Sequence, residues 1–212
     1  MENADNQDIL KQAVDLLEDA EDCPRVSGTA LMETWGKGDA SGPAKRVSRA
    51  EFVSNNRSGN WLEKSLDSVG IERRYSASFG QEHIDNGKSV DYIPADLEWP
   101  VSIRMLRPKS ALDIWGGPND NWRMVDAVRD DDSVVVKLID RFDQGTAELQ
   151  IDTTLKLPVR WTRLYPAFGG VKSEVELVDL LVPRAWISGD VADIPTSGVI
   201  GASFGSLDPR LP

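Results

Sequence analysis

His83 is the one histidine in the 212 residues, so a Ser-His-Asp relay or a histidine-rich metal site would rest on it alone. A relay needs a base oriented by an acid and within reach of a nucleophile. His83 instead sits beside the tight Asp85-Asn86-Gly87-Lys88 turn, and a solvated, turn-flanking imidazole is the favoured reading. Asp130-Asp131-Asp132 places three carboxylates in a row. A divalent cation wants ligands that converge on one point, which consecutive residues do not, so the run reads as an acidic turn between two strands. Gly116-Gly117-Pro118 lacks the Lys and Ser/Thr of a phosphate loop, and no pair of carboxylates is singled out for glycoside hydrolysis. The expectation is a non-enzymatic protein with no catalytic residue, no metal and no cofactor. A hydrolase working through His83 or Asp131 is the least favoured alternative. Cys23 is alone and can form no disulfide within the chain.

What the chain does offer is apolar and aromatic. It has seven Trp against five Phe and three Tyr. Trp brings a broad apolar face and a single N–H to satisfy, which suits both cores and ligand-lined cavities. Trp35, Phe52, Tyr92, Trp122, Leu149, Ile151, Val159, Trp161 and Leu177 are the candidates to line such a cavity, and each taken singly also fits plain core. The formal net charge of −11 argues against a nucleic-acid partner, whose affinity comes from clustered Lys and Arg. It argues equally against a simple basic patch on anionic lipid, and fits solubility. No run of 18 apolar residues suggests a membrane-crossing helix, and Met1–Gln7 is polar, so no leader is read there.

The elements that must position these residues follow from periodicity. Ile9, Leu10, Ala13, Leu16, Leu17 and Ala20 recur at helical spacing, Asp5 or Asn6 can cap the helix, and Pro24 stops it, giving a helix over about 6–22. The period then changes to two. Ser27–Gly36 and Ala44–Val53 read as strands joined by a Gly/Ser/Pro loop, and 61–69 reads as a short helix. Arg73–Phe79 alternates weakly. His83–Ile93 is a hairpin about Asn86-Gly87, a dipeptide that favours the left-handed turn matching strand twist. Pro108–Trp115 suggests another short helix, opened by Pro and closed by Gly116-Gly117. Val134–Ile139 is apolar on both faces, as a central strand would be. Thr146–Asp152, Pro158–Leu164 and the stretch around Val175 and Leu177 alternate cleanly, the habit of antiparallel sheet with one wet face. Val159 and Trp161 fall on one face of their strand. The class is α+β, with residues 183–212 an irregular tail packing on the domain.

This order of segments resembles the lipoprotein-carrier (LolA/LolB-like) superfamily, which includes regulators of anti-sigma factors and actinobacterial envelope lipoproteins. The resemblance runs over roughly residues 8–182. It is carried by DILKQAVDLLEDA leading into Ser27-Gly28-Thr29, by HIDNGKSVDYIP, by LRPKSALDIW, and by GTAELQIDTTLKLPVRWTRL followed by VKSEVELVDL. Thr154-Leu155-Lys156 stands where a Gly is common in that family. The resemblance implies a strongly curved, unclosed antiparallel β-barrel over residues 1–182, a half-barrel with helices packed in or across its concave face. It further implies an apolar hollow that holds a lipid or the acyl chain of a protein, in a carrier or sensor of the cell envelope. The location expected is extracytoplasmic if a leader was trimmed and cytoplasmic otherwise. The alternative is a regulatory module that binds another protein, such as a membrane-associated anti-sigma factor. A monomer is expected.

Overall fold

The computed structural model describes residues 2–39, 42–76, 80–90, 99–166 and 170–188. Helix α1 (Glu2–Ala20) is followed by strands β1 (Val26–Asp39), β2 (Gly42–Asn55), β3 (Asn60–Ser65), β4 (Ile71–Ser76), β5 (Gly80–Asp85) and β6 (Lys88–Val90). Helices α2 (Val101–Met105) and α3 (Pro108–Ala111) come next, then β7 (Trp122–Asp130), β8 (Ser133–Asp140), β9 (Thr146–Asp152), β10 (Leu157–Tyr165), β11 (Val171–Leu181) and α4 (Arg184–Ser188). The strands form one 11-stranded sheet in the order β6-β5-β4-β3-β2-β1-β11-β10-β9-β8-β7. Every pairing between neighbours is antiparallel. Two meanders are joined where β1 pairs with β11, and β6 and β7 remain as edges, so the sheet is open.

One face of this sheet holds the helices. Ala13, Leu17 and Ala20 recur on one side of α1 and are fully buried. They share a core with Val134, Val136, Leu149, Ile151 and Leu177, while Ile103, Met105, Leu106, Leu112 and Ile114 from the α2–α3 region pack into the same cluster. Burying a side chain such as Leu17 stabilises the fold by roughly 1.5–3 kcal/mol. Lys137, Glu148, Thr162, Glu174 and Glu176 occupy the other face, alternating with those inner residues along β8–β11.

Several local expectations change. Residues 61–69 contain β3, not a helix, because Asn60–Ser65 pairs with β2 on one side and β4 on the other. The apparent helical spacing came from Leu66 and Val69, which lie past the strand and are 41% and 94% exposed. The helix at 108–115 is a single turn. After it Leu112 is extended, so that Leu112 and Ile114 both turn into the core while Trp115 donates from Nε1 to the Pro108 carbonyl at 3.0 Å. β8 lies one strand from the edge instead of centrally. The hairpin at Asn86-Gly87 forms as expected, with φ of 50° and 76° at its two turn residues. The acidic run is the β7–β8 turn, where Asp131 takes a φ of 48° and Ser133 Oγ donates to the Asp130 carbonyl at 2.8 Å. Chain order continues past Val182 into α4, whose buried Trp186 donates from Nε1 to the Leu155 carbonyl at 2.8 Å.

Candidate ligand-binding mouth

Alternation along β10 places Trp161, Arg163 and Tyr165 on the helix-bearing face, opposite Leu149, Ala147 and the end of β9. Trp122 begins β7 on the same face, paired with Asp140 of β8. Where these strand ends meet the α3–β7 loop there is a cavity of about 400 Å³, lined by Trp122, Trp161 and Tyr165 and by Arg104, Asp113, Asp140, Gln144 and Arg163. That volume is within the usual range for small-molecule sites.

The rim is held by specific bonds. Arg104 donates from Nη2 to Asp113 Oδ1 at 2.8 Å and from Nε to the Ala111 carbonyl at 3.0 Å. The Asn121 amide also donates to Asp113. Asp140 Oδ1 accepts from the backbone N–H of Phe142 at 3.1 Å and of Gln144 at 2.7 Å, which shapes the β8–β9 turn. Gly145 in that turn is needed for close approach: a Cβ there would lie 2.8 Å from Tyr165 Cδ1. The Tyr165 ring is therefore free to sit 5.8 Å from that of Trp122. Burial is the main reason its hydroxyl is pushed above the ordinary tyrosine value; Arg163 pulls the other way, and Asp140 and Asp113 add to the rise. Tyr165 is thus a neutral phenol across the physiological range. Trp161 is 2% exposed and its Nε1 has no hydrogen-bond partner. Arg163 lies 5.4 Å over the Trp161 ring and donates from Nε to Ser173 Oγ at 3.1 Å. The arrangement puts aromatic rings and charged groups side by side in one cavity. Among the described residues, no group of three or more His, Cys, Asp and Glu side chains is placed to hold a metal ion.

Of the nine residues put forward from the sequence, Trp122 and Trp161 line this mouth together. Phe52, Leu149, Ile151 and Leu177 are buried in the core that α1 and the α2–α3 region fill, so the centre of the concave face is occupied by the chain itself. Val159 falls at a bulge: Pro158 pairs with Ile151 and Arg160 with Gln150, which removes Val159 from the alternation and leaves it half-buried. Trp35 lies on the opposite, outer face, between the Lys45 and Lys172 ammonium groups at 5.2 and 4.8 Å from its ring. Tyr92 lies outside the described residues. Tyr165 and Arg163 were missed, although carrying the period of two onward from Trp161 reaches both.

A second depression of about 440 Å³ lies on the outer face, where Val125, Ile139 and Leu164 meet Lys137, Glu148 and Lys172. Beside it Lys137 bonds to Asp126 at 3.0 Å. Glu174 is bridged by Arg160 and by Lys172.

The sequence matches no family model and no curated protein. Among solved structures, the crystal structure of MucB is 18% identical over 85% of this chain and 60% of that one, with a TM-score of 0.48. The MucA/MucB complex of Pseudomonas aeruginosa is 17% identical over 82% of this chain and 58% of that one, with a TM-score of 0.47. A LolA superfamily protein of Nitrosomonas europaea is 9% identical over 81% of this chain and 94% of that one, with a TM-score of 0.38. The chain overlaps each of these structures only in part. It spans about three fifths of the MucB chain, and the likeness is a distant one of fold alone. Among the described residues, no helix is long and apolar enough to cross a membrane.

Proposed function

We propose that this chain binds a lipid or a lipoprotein acyl chain without chemistry on it, as an extracytoplasmic carrier or sensor of the cell envelope. The observation that carries this reading is the mouth, where the rings of Trp122, Trp161 and Tyr165 line one cavity with the charged groups of Arg104, Asp113, Asp140 and Arg163. An amphiphile needs that pairing, because its tail gains roughly 25 cal/mol for each Å² removed from water while its polar end stays hydrated or bonded. The filled centre of the concave face confines the tail to the mouth and the surface beside it.

Native mass spectrometry of the purified protein, with titration by a fluorescent fatty acid, tests the reading. One equivalent of bound amphiphile is expected, with a change in tryptophan emission that is reduced in Trp122→Phe. A protein that purifies free of lipid and ignores fatty acids at micromolar concentration would sink it.

A second reading is favoured by the outer depression. Val125 and Leu164 are each 39% exposed there, beside the half-buried Ile139, an apolar strip on an otherwise charged face. In that reading the chain is a regulatory module whose outer sheet face receives another protein, such as an anti-sigma factor. Replacement of Leu164 by Lys would abolish capture of such a partner and leave amphiphile binding unchanged.

A further inference from the structure

The half of the sheet away from the mouth contains a half-buried arginine whose Nε lacks a partner among the described residues. Arg107 follows α2, and its backbone is fixed on both sides: its N–H donates to the Arg104 carbonyl at 3.0 Å, and its own carbonyl accepts from Ala111 at 2.8 Å. Its Nε is buried without a partner. Among the described residues, no hydrogen bond or ion pair reaches the rest of its guanidinium either. Its one contact of note is with Trp99, whose ring centroid lies 5.0 Å from the guanidinium carbon. Gly59 leaves space for it, since a Cβ there would come 3.4 Å from Nη1.

Trp61 also stands beside Trp99, 6.1 Å away between ring centroids, 2% exposed, and with its Nε1 unpartnered among the described residues. Tyr75 completes the cluster at 5.6 Å from Trp99 and 6.4 Å from Trp61. The buried carboxylate of this half cannot serve the arginine. Glu63 is taken by Arg73 and by Ser102, whose hydroxyl donates to Glu63 Oε2 at 2.5 Å.

Buried donors without acceptors are rare, because each forfeits the hydrogen bond it had with water, and the loss is larger for a charged group. Here the Trp61 indole N–H and the Nε of the half-buried Arg107 are two such donors, each on a residue beside Trp99. The geometry points to an oxyanion-binding site: Arg107 and Trp61 Nε1 donate to a carboxylate or phosphate-class oxyanion carried on an apolar body that lies against Trp99 and Tyr75. A planar guanidinium recognises such groups through paired N–H donors. This goes beyond the mouth reading, since it names a second site on the other half of the sheet, and it rests on that reading only for the amphiphilic character of the ligand.

Octanoate, octyl phosphate and octanol, titrated by calorimetry into the full chain and into Arg107→Met, test it. The expected result is that at least one anionic probe binds the wild type and loses about tenfold or more in Arg107→Met, while octanol does not distinguish the two proteins. The octanoate and octyl phosphate arms separate a carboxylate ligand from a phosphate one. Arg107→Met should melt close to the wild type, because the guanidinium it removes makes no hydrogen bond or ion pair among the described residues and methionine can keep the contact with Trp99, whereas a merely structural arginine would lower the melting temperature. Should that variant fail to fold, Arg107→Lys keeps the charge without the paired donors and should show an intermediate loss. Equal binding of the anions to wild type and Arg107→Met overturns the site and leaves the mouth standing. Failure of both anions to bind the wild type overturns it as well, even if octanol binds. Loss of octanol binding alone would count against the mouth and not against Arg107.

Discussion

The two halves of the sheet solve the same problem differently. From β7 to β11 the centre of the helix-bearing face is dry: Val134, Val136, Leu138, Leu149 and Ile151 are at most 1% exposed, and α1 lies across β7, β8, β9 and β10. From β3 to β5 the corresponding face presents Glu63, Arg73, Trp61 and Tyr75, and the helix residue that reaches it is Ser102. Strands in the first half have 7 to 11 residues, and those from β3 to β6 have 3 to 6. A long amphipathic helix can exclude water from long strands, and alternation then fills the space with aliphatic side chains. A half covered by one-turn helices keeps polar groups, which must find partners or remain available to a ligand. Aliphatic burial is thus concentrated in one half and buried polar and charged groups in the other.

The largest way to break this contrast is Leu17→Ala in α1. It removes fully buried volume from the dry half and should cost about 2–5 kcal/mol, read as a fall in urea midpoint with little change in slope. A loss below 1 kcal/mol would mean that α1 is not what closes that half. Glu63→Ala, in the polar half, should cost less, about 1–3 kcal/mol, because Ser102 is left without its acceptor while Arg73 is still partly solvated. An equal or larger cost than Leu17→Ala would reverse the comparison.

Cys23, at the start of the dry core, sharpens it through pH. Burial pushes its thiol from 9.0 up to about 12, with a smaller opposing effect of the Arg25 carbonyl contact. A raised acid favours the neutral form in the folded state, so its contribution is complete below pH 9.0 and is lost as pH rises towards about 12. Thiol reagents at pH 8 should therefore leave the native protein unlabelled, and reaction within seconds without denaturant would contradict the buried placement. On the outer face the sign is opposite. Burial alone would raise the Glu174 carboxyl, but Arg160 and Lys172 hold it below its ordinary range. Its stabilisation is present above the ordinary carboxylate pKa and is lost as pH falls through the depressed value. With both cationic partners over a third exposed, Glu174→Gln should cost under about 1 kcal/mol at neutral pH and flatten the acid limb of a stability profile. The smallest effect belongs to Lys156, which takes a φ of 54° in the β9–β10 turn. Lys156→Gly should relieve left-handed strain and raise stability by about 0.5–1 kcal/mol, less the unfolded-state entropy of glycine. That turn is where the family resemblance led one to expect a glycine.

Much of the scaffold was legible beforehand. Helix α1, the paired strands 26–39 and 42–55, the Asn86-Gly87 hairpin and the closing meander each carry a local signal, either a sustained period or a turn residue with a φ preference. Strand β3 was not legible, because six residues with Leu66 and Val69 nearby match a helical template as well as a strand one, and pairing on both sides overrode it. The open 11-stranded sheet with helices on one face agrees with what the resemblance implied.

The candidate sites divide along the same line. The sequence by itself determined that Trp122 and Trp161 are bulky aromatics among alternating strand residues, and that no histidine- or cysteine-rich chemistry is present to compete with binding. Only the tertiary structure decided that these two meet at a mouth, that Leu149 and Ile151 are covered by the chain's own helix, that Trp35 faces outward, and that Arg107 Nε is buried without an acceptor among the described residues. A period of two separates the faces of a strand but does not say which face is inside. That assignment, and the satisfaction of every buried donor, depends on which distant segments pack together.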